Sequence, residues 1–272
     1  MILARLVFIL VAAALALLPA LPAAADPSDT WPRGGELFDQ WDICRTRAVG
    51  EDGFFQVTES GFRPIIGFES LGEYADVAYK LGEEFARKYR DRDQRAEQIF
   101  YFVRDKIRYT SDLDQFGLRE FAQNADEVAR DIQDRGSARG DCEDMAVLFA
   151  VMCQGAGLRS AIVLAPDHAA AAVHLPGYRK ANRVFTVSGE SGWVWAEATA
   201  RNNHLGWMPE KLFGKPLAFY DMAAEKMSIP QATPGTEATI PSGGGGFGIS
   251  PFYIIIGLMW LMPLLRRRRR RR

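Results

Sequence analysis

The spacing of apolar residues changes period along this chain. From Leu71 it is helical: Tyr74, Val77, Ala78, Leu81, Phe85 and Tyr89 fall three or four apart. A second helix is predicted after Asp93, with Ala96, Ile99, Phe102, Val103 and Ile107 inward and Arg92, Arg95 and Arg104 facing solvent. Tyr109 to Arg139 is polar and rich in Asp, with a short helical signal from Asp126 to Ile132. The turn Gly140-Asp141-Cys142-Glu143-Asp144 then leads into Met145-Ala-Val-Leu-Phe-Ala-Val-Met-Cys153, the wide apolar surface of a buried helix that Gly155 and Gly157 end. After Gly157 the period is that of strands. Ser160 to Ala165 is a short buried strand stopped by Pro166, and His168 to Leu175 is a second. Arg183 to Ser188 and Gly192 to Ala198 follow, with Gly189 to Gly192 as the hairpin turn between them. Helices followed by meandering antiparallel strands predict an α+β fold with the cysteine helix packed against the sheet. Asp26 to about Arg63 has no clean period and reads as an irregular N-terminal arm, docked through Trp31, Phe38 and Trp41.

Two apolar runs stand outside this pattern. Met1 to Ala25 has a charged start at Arg5, an apolar run from Leu6 to Leu18 and small residues at 23–25, the signature of a cleaved secretory signal peptide; a retained anchor is the other reading. Phe247 to Leu265 is uncharged and, at about 1.5 Å per residue, just long enough to cross a bilayer. Arg266 to Arg272 follow it, which places the arginines in the cytoplasm and the folded body outside. Ser228 to Gly246, with its prolines and glycine run, has the composition of a flexible linker. The expected organisation is a signal peptide (1–25), an arm (26–70), a catalytic domain (71–227), a linker (228–246), a transmembrane segment (247–265) and a cytoplasmic arginine cluster (266–272).

The two ends change the charge picture. The whole chain of 272 residues is at −1, but setting aside Arg5 and the seven tail arginines leaves 25 basic against 34 acidic residues, a body near −9. An acidic exported body excludes nucleic acid as partner and leaves the membrane, through the C-terminal segment, and proteins of the envelope. Export also permits disulfides. Cys142 and Cys153 are about three helical turns apart, roughly 16 Å and beyond disulfide reach. Cys44–Cys153 is therefore the only pairing that leaves Cys142 free, the alternative being three reduced cysteines.

Cys142 is the candidate nucleophile. Asp141 can cap the helix and Asp144 stands where a capping box has its second member, so the thiol falls in the first turn. There the helix dipole favours an anion and is expected to lower the thiol pKa; a buried structural cysteine is the other reading. Such a nucleophile needs a base, and the base an orienting group. Residues 168, 170, 172 and 174 share one strand face and are expected to turn toward the cysteine helix, with alanines letting it approach. His168 and His174 are roughly 20 Å apart at strand rise, so only one can serve: His168 at the strand start, with His174 as fallback. Trp193, Trp195 and Glu197 share a face of the last strand, where a carboxylate needs a partner, either the imidazole or an arginine. Cys142, His168 and Glu197 as a metal site lack the close pairs of zinc ligands, and no cofactor is implied.

The order of Gly140-Asp-Cys-Glu-Asp144, then Asp167-His168-Ala-Ala-Ala-Ala-Val173, then Trp195-Ala-Glu197-Ala-Thr199 resembles the transglutaminase-like superfamily of papain-like cysteine enzymes. Ile99-Phe-Tyr-Phe-Val103 and Ile107-Arg-Tyr109 look like the helix and following Tyr that precede the cysteine loop there. The resemblance implies a papain-like α+β core and peptidase, amidase or transglutaminase chemistry, with Cys142 as nucleophile, His168 as general base and acid, and Glu197 in the orienting role. Many relatives have an aspartate followed by proline where this chain has Glu197-Ala198. The Cys142 backbone N–H would be one oxyanion donor, with Gln123 or Asn124 as candidates for the second. The Gly-rich stretch, apolar segment and arginine cluster at the end resemble bacterial sorting signals of the GlyGly type, which implies an intramembrane sorting protease as a further partner. A permanent tail anchor has the same composition.

Overall fold

The computed structural model describes residues 29–58, 61–71 and 76–224. The expected signal peptide, linker, membrane segment and arginine cluster lie outside them. Among the described residues no helix is long and apolar enough to cross a membrane. In chain order the elements are β1 (Thr30–Arg33), β2 (Glu36–Asp39), β3 (Cys44–Gly50), β4 (Gly53–Thr58), β5 (Gly61–Arg63), α1 (Ile65–Phe68), α2 (Val77–Lys88), α3 (Arg92–Lys106) and β6 (Ile107–Tyr109). They continue with α4 (Asp112–Phe116), α5 (Ala125–Arg135), β7 (Ala138–Gly140), α6 (Cys142–Gly155), β8 (Ser160–Ala165), β9 (His168–His174), β10 (Val184–Val187), β11 (Glu190–Ala196) and β12 (Ala218–Asp221).

The centre of the molecule is α6. Every residue from Glu143 to Cys153 is buried, because the run is apolar on all sides and must be covered on all of them. The sheet β10-β11-β9-β8-β12, antiparallel throughout, covers one side. Helix α2 covers another at very short range: a Cβ on Gly82 would lie 2.0 Å from the Met152 carbonyl, and one on Gly155 2.0 Å from that of Tyr79. Only glycine permits that approach of the two backbones. The result is the α+β architecture expected from the period change, with the cysteine at the N-terminus of the central helix.

Three local expectations are corrected, and the open question of the cysteines is answered. Residues 30–63 are not an irregular arm but a five-stranded sheet in the order β1-β2-β3-β4-β5. Its first turn was legible, since Gly34 and Gly35 both have positive φ and join β1 to β2 in register Arg33 to Glu36. In the strands that follow, Arg45 on β3 is fully buried against the pattern and holds Asp39 of β2 inward. It pairs with Asp39 at 3.1 Å, Glu69 at 3.5 Å and Glu127, and donates to the Ala122 carbonyl at 2.6 Å. Burial opposes the guanidinium's charge, but the carboxylates of Glu127, Glu69 and Asp39 outweigh it and raise its pKa. Of the expected docking residues, Phe38 is buried and Trp41 packs on the core, whereas Trp31 is 42% exposed.

Arg92, Arg95 and Arg104 do not simply face solvent. They donate to the carbonyls of His174 (3.0 Å), Ala156 (2.8 Å) and Asn203 (2.6 Å), so their long stems lie along α3 and clamp it to its neighbours. Cys44, Cys142 and Cys153 are all free thiols, with Cys44 in the N-terminal sheet and Cys153 at the far end of α6. Finally, the face of β9 turned to α6 is Ala169, Ala171 and Val173, while Ala170 and Ala172 pack on the opposite side with Trp193, Trp195 and Phe219. Four alanines in a row are apolar on both faces, so alternation could not say which face the helix covers.

Replacing Arg45 by Ala leaves three carboxylates buried without their counter-ion. The Arg45→Ala chain is expected to lose about 3–5 kcal/mol of unfolding free energy, read from urea denaturation at neutral pH. A loss under about 1 kcal/mol would mean that the cluster does not hold the N-terminal sheet to the body.

Candidate active site

Cys142 is delivered by a turn that tolerates no larger residue before it: a Cβ on Gly140 would lie 2.6 Å from Asp144 Oδ2. Asp144 reaches back to accept the Asp141 N–H at 3.2 Å, as a capping residue should. It also accepts the backbone N–H of Gln123 at 2.8 Å and its Nε2 at 2.9 Å. Gln123 Nε2 further donates to the Arg139 carbonyl at 3.0 Å. Asn124 caps α5 by accepting from Glu127 N–H at 3.0 Å, and its Nδ2 donates to Glu69 at 2.9 Å. Both side chains expected as oxyanion donors are thus latches that hold the loop before the cysteine, because buried carboxylates claim their donors.

The histidine and the carboxylate meet at one end of the sheet. The pairing of Ala171 with Ala196 brings the end of β11 beside the start of β9. His168 Nε2 lies 2.8 Å from Glu197 Oε2. Asp167 has a positive φ of 55°, which turns the chain into β9 at the edge of the cysteine cavity. Burial pushes the Glu197 carboxyl up, but His168, the Thr199 hydroxyl at 2.5 Å and the Trp195 indole at 3.3 Å hold it below the usual carboxylate range. An ionised Glu197 only accepts, which assigns the proton of a neutral His168 to Nε2 and leaves Nδ1 as the basic nitrogen. The expected partner of Glu197 is therefore the imidazole rather than an arginine. His174 sits elsewhere: 8% exposed, it stacks at 5.3 Å on Trp193, and its Nε2 lies 3.0 Å from the Ser191 carbonyl. His204 is exposed and lines none of these features.

Cys142 and His168 line one open cavity of about 470 Å³. Its far wall is the N-terminal sheet, through Ala48, Phe54 and Phe55, so the segment with the least legible pattern shapes the site. The lining is rich in acidic residues, Asp112, Glu120, Asp141, Glu143 and Asp167, with Arg119 and His168 as its basic ones. Burial and then Asp141 push the Asp112 carboxyl up to about 7. Contrary to the expected effect of the helix dipole, the Cys142 thiol is not acidified. Burial and the charges of Glu143 and Asp141 raise it well above its ordinary value, against a hydrogen bond from the Ala169 backbone N–H. The thiol donates to Glu143 Oε2 at 3.1 Å. A dipole worth about half a charge is outweighed by carboxylates within the same turn.

Tyr109, the tyrosine ahead of the cysteine loop, lines this cavity and two neighbouring ones. Burial, Cys142 and the acidic groups raise its pKa, so it stands as a neutral hydrogen-bond donor. Among the described residues, the groups that could hold a cation are Asp141-Cys142-Glu143, Asp112-Asp141-Asp144 and Asp112-Glu120-Glu143, whose ligand atoms lie within 4.8 Å of one another. The trio Cys142, His168 and Glu197 is not among them.

Residues 79–210 match the family model of the transglutaminase-like superfamily. The match begins inside α2 and ends after β11, so it covers Cys142, His168 and Glu197 and leaves out the N-terminal sheet. No curated protein matches the chain.

The pH dependence of thiol alkylation tests these electrostatics. With Cys142 raised by burial and by Glu143, the rate of its reaction with iodoacetamide should still be climbing above pH 9. Glu143→Gln removes the like charge and should move the profile to lower pH, giving a several-fold faster reaction at pH 8. An unchanged profile would show that Glu143 does not govern the thiol.

Proposed function

We propose that the transglutaminase-like domain at residues 79–210 is that of a cysteine hydrolase acting on peptide or other amide bonds, with Cys142, His168 and Glu197 as its triad. The observation that carries the proposal is the 2.8 Å contact of His168 Nε2 with an ionised Glu197, at the rim of the cavity that Cys142 lines. Glu197 orients the imidazole and stabilises its charged form. Nδ1 takes the thiol proton as sulfur attacks the carbonyl carbon, then returns it to the departing amine, which leaves an acyl-enzyme. A water deprotonated by Nδ1 attacks the thioester carbon, the C–S bond breaks, and the thiol recovers its proton. An amine in place of water would give transamidation. Because the resting thiol is neutral, its deprotonation belongs to the attack step, and the carboxylate of Glu143 must release it first.

The neutral thiol also supports a second reading, a non-catalytic envelope module that keeps the fold for binding. The two separate on amide cleavage. The full-length chain should cleave members of a mixed peptide pool, with Cys142→Ala inactive, His168→Ala down by about 100-fold or more and Glu197→Gln down by a smaller factor. Cleavage that survives Cys142→Ala would overturn Cys142 as nucleophile, and none from the wild type would leave the binding module.

The same proposal places the domain outside the cytoplasmic membrane, in the periplasm or at the cell surface, on the strength of the sequence signatures at 1–25 and 247–272. A peptide tag placed after Arg272 should be absent from the mature protein if a sorting protease removes the tail, and present in the membrane fraction if the tail is a permanent anchor. A tagged protein found in the soluble cytoplasmic fraction would sink both.

A further inference from the structure

Across Tyr109 from the acidic catalytic cavity lies a second hollow of about 290 Å³. Tyr109 lines both. The walls of the second hollow come from the same elements as the proposed triad: Met145 stands three residues after Cys142 on α6, Thr199 holds Glu197, and Arg108 precedes Tyr109 on β6. A group seated there lies against the elements that carry the proposed triad.

The two hollows have opposite polarity. Arg104, Arg108 and Arg201 line the second one, with no carboxylate in its wall. Arg104 is already engaged, with Asp105 at 2.7 Å, the Asn203 carbonyl at 2.6 Å and the Tyr101 ring at 4.6 Å. Arg108 and Arg201 are exposed, and neither side chain makes an ion pair or hydrogen bond with another described residue. Two unmatched guanidiniums on one hollow repel each other and attract an anion, and their planar forks match the paired oxygens of an oxyanion such as a carboxylate. Across the Tyr109 divide the cavity offers an anion carboxyl groups and a single guanidinium, Arg119, so the second hollow is the side that receives it.

We propose that this hollow is an anion subsite that seats an acidic side chain, Asp or Glu, flanking the amide bond under attack, with Arg108 and Arg201 as its ligands. Its use as a specificity subsite rests on the cysteine-hydrolase reading, but anion binding itself does not. Both arginines are exposed and outside the core, so their replacement should leave folding intact.

The test uses the full chain carrying Cys142→Ala, which lacks the proposed nucleophile. Three fluorescent pentapeptide pools, randomised except for a central Glu, Gln or Lys, are titrated by fluorescence anisotropy. The Glu pool should bind about tenfold tighter than the Gln pool, and the Lys pool no tighter than Gln. The further change Arg108→Gln with Arg201→Gln should erase that preference while the Tm stays within about 2 °C. Equal binding of the Glu and Gln pools overturns the proposal, and so does a preference that survives the double substitution. If the Glu preference holds but the wild type cleaves nothing, the subsite stands and the hydrolase reading falls. Cleavage without the preference gives the reverse.

Discussion

Burial of α6 along its length is the constraint from which the rest of the structure follows. Eleven consecutive buried residues, Glu143 to Cys153, need cover on every side, and a sheet, several helices and loops supply it. Close cover is possible because Gly82 and Gly155 bring α2 almost into backbone contact, and because small alanines do the same on β9. The polar first turn is then trapped at the edge of the core. Glu143 and Asp144 are buried with the helix they begin, and their oxygens must find donors or keep their protons.

That trapping explains the electrostatics of the site. Asp144 takes its donors from Gln123 and Asp141, which ties the preceding loop to the helix. Glu143 is left beside the thiol and takes the Cys142 hydrogen bond. Carboxylates gathered by burial override the helix dipole, so the thiol rests neutral. The surroundings of Glu197 are built differently: it has three side-chain donors and stays ionised. A stable anion next to His168 and a reluctant anion at Cys142 define which way the proton can be drawn.

The N-terminal sheet is joined to this arrangement through one buried cation. Arg45 on β3 binds carboxylates from β2, from the residue after α1 and from α5, and it holds the Ala122 carbonyl one residue before the Gln123 latch. The sheet that walls the cavity with Phe54 and Phe55 is thereby linked to the loop that positions Cys142. The matched family region contains the proposed triad but not this wall.

By itself the sequence determined what local pattern can carry. The helical periods, the buried helix behind Gly140-Asp-Cys-Glu-Asp144 and the first four strands after Gly157 follow from side-chain spacing, a property of neighbours along the chain, whereas the edge strand β12 was not read from it. The pairing of His168 with Glu197 was also within reach, since both sit at the ends of adjacent strands. Only the tertiary structure decided which face of the four-alanine strand meets α6, because both faces are apolar. It alone decided the fate of Gln123, Asn124 and the α3 arginines, whose partners are distant carboxylates and carbonyls. It also decided that residues 30–63 form a sheet around Arg45, and that Cys142 rests as a neutral thiol. Charge and burial sum over everything nearby in space, and no spacing rule along one chain contains that sum.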